Sequence, residues 1–250
     1  MKIVLTHDID SIKKPFSHIW QRRNRFSRWD IVLSALHIRN LYNNIEDIIA
    51  LEDKYGYKST FFVPVFLFDV TEIVDTLKEI KKEGWEVQLH FVYESIQPQG
   101  LFKLQRDFFE KHIGELYGLR SHMLFINDFL LDLFEKEGLL YDASFRAETV
   151  NSYNPFNIRN NLVEIPLALM DADIFGRFKF SENTAWKYIM WKLKSAEKEN
   201  ADCFVVLFHQ EAYRMKGGRL YKKFVEYISS QDYETQLCID AAKSIKERKK

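Results

Sequence analysis

Short runs of β-branched and aromatic residues alternate along the chain with longer stretches of helical period, and this alternation is the tightest constraint on the fold. Strands are expected at Lys2–Thr6, Lys58–Val63, Glu86–His90, Leu119–Met123, Leu140–Ser144, Leu162–Pro166, Cys203–His209 and Thr235–Cys238, each a brief run bounded by turn residues or helical segments. Between them, apolar residues recur three and four apart over Ile45–Lys54, Glu72–Glu83, Phe102–Leu116, Asp128–Glu137, Glu182–Glu199 and Leu220–Ser229, the spacing of helices with one buried face. Gly56, Gly84, Gly118 and Gly138 each follow a helical stretch and precede a strand, as helix C-caps do. A βαβα order places parallel strands inside and helices outside. Seven or eight such strands make a closed or nearly closed α/β barrel.

At 250 residues, the length suits one large barrel or two small domains. Nothing rich in Pro, Gly or Ser interrupts the chain long enough to act as a linker, so a single domain over 1–250 is expected. The 36 basic and 36 acidic residues cancel, which removes the whole-molecule field of a general nucleic-acid binder and confines any polyanion site to a local patch. Cys203 and Cys238 each sit in an expected strand, are not arranged as a C-x-x-C pair and cannot build a zinc cluster; buried reduced thiols are expected. The start, Met1-Lys2-Ile3-Val4-Leu5-Thr6, reaches a His-Asp-Ile-Asp cluster without an apolar signal segment, so a cytoplasmic location is expected. No apolar run approaches the ~20 residues of a membrane span.

One connection departs from the pattern. From Ser11 to Tyr42 the link between the first strand and its helix is far longer than usual, and it mixes Lys13, Lys14, Arg22, Arg23, Arg25 and Arg28 with Trp20, Phe26 and Trp29. Long loops at the C-terminal side of a barrel serve as lids or binding loops. The stretch reads either as a solvated helix with a basic face or as a loop for a phosphate-bearing substrate or a membrane headgroup, which would make peripheral membrane contact. Lys246, Arg248, Lys249 and Lys250 read as a frayed helix end.

Polar residues gather at the C-terminal ends of the expected strands, where barrel active sites are assembled. The first strand runs into Thr6-His7-Asp8-Ile9-Asp10, whose two carboxylates lie two apart and can share one face. Carboxylates there can bind a cation, act as a general base or cap the next helix. The third strand ends in His90, with Glu94 four residues on, and a helical turn would bring both to one side. The fourth carries Arg120-Ser121-His122, and the apolar run Phe204–Phe208 ends in His209. A lone strand-end histidine is more often structural. Three of them with an Asp pair and an Arg at one barrel end point to a catalytic or metal site.

In the order and spacing of these pieces the sequence resembles the NodB-type polysaccharide deacetylases (carbohydrate esterase family four-like), in particular a divergent cytoplasmic branch with a Thr-His-Asp-Val-Asp-like opening. The resemblance covers nearly the whole chain. Besides Thr6–Asp10 it includes Lys58–Phe62, Glu86–His90, Leu119–His122, Glu164–Asp171 and Leu207–His209. It implies a distorted TIM-like (β/α)7 barrel and a divalent ion, zinc above all and otherwise cobalt, nickel or manganese, that polarises an acetamide carbonyl and activates water. By position, Asp8 resembles the catalytic base, Asp10 the metal-binding aspartate and His90 the first metal-binding histidine. Arg120 resembles the arginine that orients the base, and His209 the general acid. Asp171, at the end of the strand before His209, is the candidate for the carboxylate that orients that acid.

The family usually has a second histidine four residues after the first, and this sequence has Glu94 there. An Asp10-His90-Glu94 site is chemically workable, at the cost of Lewis acidity; His122 is the alternative third ligand. The function expected is removal of acetyl from an N-acetylated sugar, with nucleotide- or lipid-linked precursors of surface polysaccharide as the substrate class. The alternatives are a sugar-binding scaffold on the same fold and a hydrolase of a non-sugar C–N bond such as a cyclic amide.

Overall fold

The computed structural model describes residues 1–247; Arg248, Lys249 and Lys250, expected as part of a frayed end, lie outside the described residues. Among the described residues, the strands are β1 (Lys2–Asp8), β2 (Thr60–Val63), β3 (Glu86–Phe91), β4 (Gly118–Ser121), β5 (Tyr141–Asp142), β6 (Phe156–Asn157), β7 (Val163–Glu164), β8 (Leu167–Met170) and β9 (Cys203–Leu207). The α-helices are α1 (Phe16–Gln21), α2 (Arg28–Ala35), α3 (Ile45–Lys54), α4 (Val74–Lys82), α5 (Pro98–His112), α6 (Asp128–Lys136), α7 (Ala147–Val150), α8 (Glu182–Lys198), α9 (Lys216–Ser230) and α10 (Cys238–Glu247).

The strands form one sheet in the spatial order β6, β7, β5, β4, β3, β2, β1, β9, β8. All neighbours are parallel except β6 against β7. Within the expected sixth strand, Leu162–Pro166, only β7 forms, pairing with β5; Pro166, which has no N–H to give a ladder, ends it, and a strand not expected from the sequence, β8, follows and pairs with β9. A bridge between Arg146 and Leu167, with the Leu167 N–H donating to Phe145 O at 2.8 Å, joins the β5 side to β8. Counting β7 and β8 as one broken strand, this closes the ring as a distorted seven-stranded barrel in a single domain.

Strand alternation sorts the side chains into two sets. Ile3, Leu5, Phe61, Val63, Val87, Leu89 and Phe91 join the apolar layer under the helices, whereas Val4, Phe62, Tyr141, Val163, Val205 and Leu207 pack together inside the barrel with Cys238, Ala241 and Ala242 of α10. The inner set places Thr6, Asp8, His90 and Arg120 on the inside as well. Alternation also turns His7 outward, where its Nδ1–H donates to Phe208 O at 2.7 Å and Nε2 meets Glu52 at 2.9 Å and Tyr221 at 3.1 Å.

Two sequence expectations are corrected. Thr235–Cys238 is not a strand: Thr235 makes a single bridge to Ile3, and Cys238 opens α10. Pairing of β1 with β2 begins only at Thr6, which leaves Ile3 free for that one bridge. The first turn of α10 then finds better partners, its Cys238 and Ile239 N–H groups donating to Thr60 Oγ1 at 3.1 Å and Glu86 Oε2 at 3.0 Å. Gly118 is not a helix cap either. It starts β4 under the Tyr141 ring, where a Cβ would lie 2.4 Å from a ring carbon, whereas Gly56, Gly84 and Gly138 do follow helices with φ of 69°, 99° and 79°. Both cysteines are free and buried. Among the described residues no helix is long and apolar enough to cross a membrane.

Between β1 and α3, residues 11–42 fold over the C-terminal side as α1, a turn at Arg23–Arg25 and α2. They are held by a small apolar cluster of Ile19, Phe26, Leu41 and Tyr42.

Candidate active site

Asp8 is the last residue of β1 and lies on the barrel's inner face, 2% exposed. Arg120, in β4, is fully buried and holds it: NH1 donates to Asp8 Oδ1 at 2.9 Å and to Thr6 Oγ1 at 2.9 Å, while Nε donates to Ala143 O at 2.8 Å. The guanidinium stacks on Phe62, 4.3 Å from the ring centre. A buried charge is tolerable only when paired and hydrogen-bonded, and here the Arg120–Asp8 ion pair engages one carboxylate oxygen. Its Oδ2 lies 3.7 Å from His90 Nε2.

Asp10 follows β1 by two residues, with Ile9 between them turned into the apolar layer. His90, in β3, pairs in register with Arg120. Its Nδ1–H donates to Arg120 O at 3.0 Å, which directs the Nε2 lone pair into the mouth. His122 stands just past β4, and left-handed Met123 and Leu124, with φ of 57° and 55°, turn the chain sharply behind it. The three side chains converge. His90 Nε2 is 3.3 Å from Asp10 Oδ1, His122 Nδ1 is 3.6 Å from the same oxygen, and the two nitrogens are 3.2 Å apart.

This trio fits a metal. Asp10, His90 and His122 form a group with metal-ligand spacing among the described residues. Two ring nitrogens and a carboxylate are ordinary zinc donors, and bonds of about 2.0–2.1 Å in a tetrahedron put donors roughly 3.3 Å apart, close to the separations seen. Asp10 Oδ1 is buried with no hydrogen-bond donor, a cost that a cation at this point would remove. Burial alone would raise the Asp10 carboxyl, but His122, His90 and His209 around it hold it well below the usual range. The Asp10 carboxylate in turn raises His122, against the effect of burial.

Glu94 is not part of the trio. No helical turn follows β3: residues 92–97 are irregular until α5 begins at Pro98, and Glu94 is exposed. The four-residue spacing therefore does not bring it beside His90, and the structure puts His122 there.

His209 lies two residues past β9, and Asp171 directly follows β8. The ring Nδ1–H donates to Asp171 Oδ1 at 2.6 Å, leaving Nε2 toward the mouth, 3.7 Å from Asp10 Oδ2. Burial would lower this histidine, but the adjacent Asp171 carboxylate outweighs it and raises it well above the ordinary value.

Asp10, Asp171 and His209 line a cavity of about 720 Å3, ample for a small ligand; His90 and His122 reach it through Asp10, 3.3 and 3.6 Å from its Oδ1. One wall comes from residues 11–42, with Lys14, His18, Arg22, Arg25 and Tyr42; Lys179 and Lys216 add further cations to the lining. Sequence reasoning missed Glu211, also in the lining. Its carboxyl is pushed up to about 8 by burial, against the pull of His209 and with help from Asp10 and Asp171. A neutral acid there can donate a hydrogen bond. The available signal was position, two residues beyond the strand-end His209.

Neither a family model nor a curated protein matches the sequence. Solved structures do. A Mycobacterium smegmatis protein assigned as a polysaccharide deacetylase is similar at a TM-score of 0.70 and 17% identity, over 99% of this chain and 90% of that one. The PuuE allantoinase is similar at 0.70 and 15%, over 96% and 88%. A CE4 family pseudoenzyme from Bacillus anthracis is similar at 0.58 and 11%, over 96% and 65%. Identities this low carry the fold and leave activity to be argued from the site. The chain has the fold of the polysaccharide deacetylases, a distorted (β/α)7 barrel that also serves an allantoinase and a pseudoenzyme.

Proposed function

We propose that the chain is a metal-dependent deacetylase that hydrolyses the acetamide of an N-acetylated sugar, releasing acetate and the free amine. The observation that carries this reading is a contiguous cluster at one cavity: Asp10 and the Asp171-held His209 line it, and Asp10 joins His90 and His122 in a two-histidine, one-aspartate trio, with the arginine-held Asp8 3.7 Å from His90 Nε2. Asp10, His90 and His122 would hold the ion, zinc by preference among zinc, cobalt, nickel and manganese. When bound, such an ion supplies Lewis-acid polarisation of a carbonyl and acidifies water.

The chain's own groups divide the remaining work. Asp8, ion-paired with Arg120, is suited to accept the proton of the attacking water. His209, kept cationic by Asp171, is suited to give a proton to the departing nitrogen, so that acetate leaves as the C–N bond breaks. Lys14, Arg22, Arg25, Lys179 and Lys216 rim the cavity and favour a substrate that carries phosphate, such as a nucleotide- or lipid-linked sugar in the cytoplasm. A second reading, hydrolysis of a cyclic amide, draws on the allantoinase likeness. The reading as a sugar-binding scaffold drew on Glu94, which stands outside the trio.

Acetate release from N-acetylated sugars and their nucleotide conjugates, measured after reconstitution with each of the four ions, tests the proposal. Metal-dependent acetate release is expected, faster for the conjugates. Turnover of allantoin without acetate release would favour the second reading, and stoichiometric metal with no turnover of either would favour a scaffold.

A further inference from the structure

Helix α2 is built inside out. On most surface helices the apolar stripe faces the core; here the most buried residues are polar, and of the apolar ones Ile31 packs inward on the Ile19 cluster. Asp30 and Ser34 are each 9% exposed, and Asp30 is held by Ser27 at 2.7 Å and by Arg39 at 2.9 Å. Trp29, Val32 and Leu36, spaced to share the opposite face, are 75%, 45% and 62% exposed. Ile38 after the helix is 68% exposed, and on α1 Trp20, 53% exposed, lies beside Phe16, ring centres 6.3 Å apart, with the Arg23 guanidinium 5.1 Å over its ring. Leaving this much apolar surface in water is costly, and clustered exposed apolar residues mark an interaction site.

Charge says what the partner is. Residues 11–42 hold seven basic residues and one acidic, a net of +6, in a chain whose total is zero. Asp30, that one acid, is already paired with Arg39. Among the described residues, Lys13, Arg22, Arg23, Arg25 and Arg28 make no ion pair. A second copy of the same face would set one +6 surface against another and be repelled. An anionic bilayer matches on both counts: indole rings and aliphatic side chains settle at the headgroup boundary, and each nearby cation strengthens binding about fivefold.

We infer that residues 11–42 dock the protein on an anionic lipid surface, with Trp29, Val32 and Leu36 entering the headgroup boundary and Arg23 and Arg28 among the basic residues at the phosphates. This inference stands independently of the deacetylase reading. The same segment supplies the Lys14, Arg22 and Arg25 wall of the cavity, so docking brings the cavity rim to the bilayer, where a lipid-borne substrate would be met.

Cosedimentation of the full chain with vesicles of phosphatidylcholine, alone or mixed with phosphatidylglycerol, tests it. Binding is expected on the mixed vesicles, about tenfold stronger than on phosphatidylcholine alone, and it should weaken at high salt. The pair Trp29→Ser and Leu36→Ser should reduce it about tenfold. Arg23→Glu with Arg28→Glu should reduce it at least as much, with melting temperature unchanged because these side chains are exposed. Equal binding to both vesicle types, or undiminished binding by the Trp29→Ser and Leu36→Ser protein, would overturn the inference. So would a concentration-dependent dimer that those two substitutions abolish, since the occupant would then be a second copy.

Discussion

Asp171 meets His209 twice: Oδ1 accepts the ring Nδ1–H at 2.6 Å, and Oδ2 accepts the backbone N–H of the same residue at 3.1 Å. One carboxylate thus fixes the ring's tautomer, its rotation and the chain entering it. Such a histidine presents Nε2 to the cavity as a proton donor.

His209→Ala is therefore expected to leave fold and metal content intact and to lower kcat by about 10²–10⁴-fold, the range for loss of a positioned acid. Asp171→Asn should also lower kcat strongly, because an amide has one acceptor oxygen for the two His209 N–H groups that Asp171 accepts and carries no charge to hold the ring cationic. Melting temperature, metal content and kcat on one preparation check both. Full turnover by folded His209→Ala protein would end its role as the acid.

The metal trio gives a second test. His122→Ala should weaken zinc binding by more than the roughly 10–100-fold that loss of an outer partner costs, whereas Glu94→Ala should change it little. Competition with a chelator measures both constants. A large loss on Glu94→Ala alone would mean the segment 92–97 moves onto the ion.

Much of this was legible in the sequence because strand alternation and the ends of apolar runs are local signals. Asp8, Asp10, His90, Arg120, Asp171 and His209 all sit where a run of barrel residues gives out at the C-terminal edge. The choice between Glu94 and His122 was not local. A spacing of four places two residues together only if the chain turns helically, and here it does not; His122 reaches the trio because it directly follows β4, whose Arg120 pairs in register with His90, a relation between two strands far apart in the sequence. The break at Pro166 and the fate of Thr235–Cys238 likewise depended on which partner strand had free N–H and C=O groups, a property of the assembled sheet.

The last prediction concerns stability and rests on a buried acidic pair beside Arg120. Asp142 is 0% exposed; its Oδ1 accepts Ser144 Oγ–H at 2.5 Å, and its Oδ2 meets no group but the Glu164 carboxyl. Glu164, also fully buried, accepts the Phe145 N–H through Oε1 at 3.0 Å and leaves Oε2 bare. Burial pushes Asp142 up to about 6, against the pull of Ser144, Glu164 and Arg120. Burial and then the Asp142 charge push Glu164 well above its usual value. The folded state thus holds protons that the unfolded chain would release. For an acid raised in this way, the stabilising contribution is whole below the unfolded value near 3.8 and is lost as pH climbs through about 6. The rise of Asp142 corresponds to about 2–3 kcal/mol at neutral pH. Asp142→Asn keeps an acceptor for Ser144 and gains an N–H2 group for Glu164 Oε2, and it cannot titrate. Urea unfolding at intervals from pH 4 to 8 should therefore show the parent losing stability relative to Asp142→Asn as pH rises through about 6. Parallel curves across the range would mean that Asp142 is ionised in the folded protein throughout, with its charge carried by Arg120.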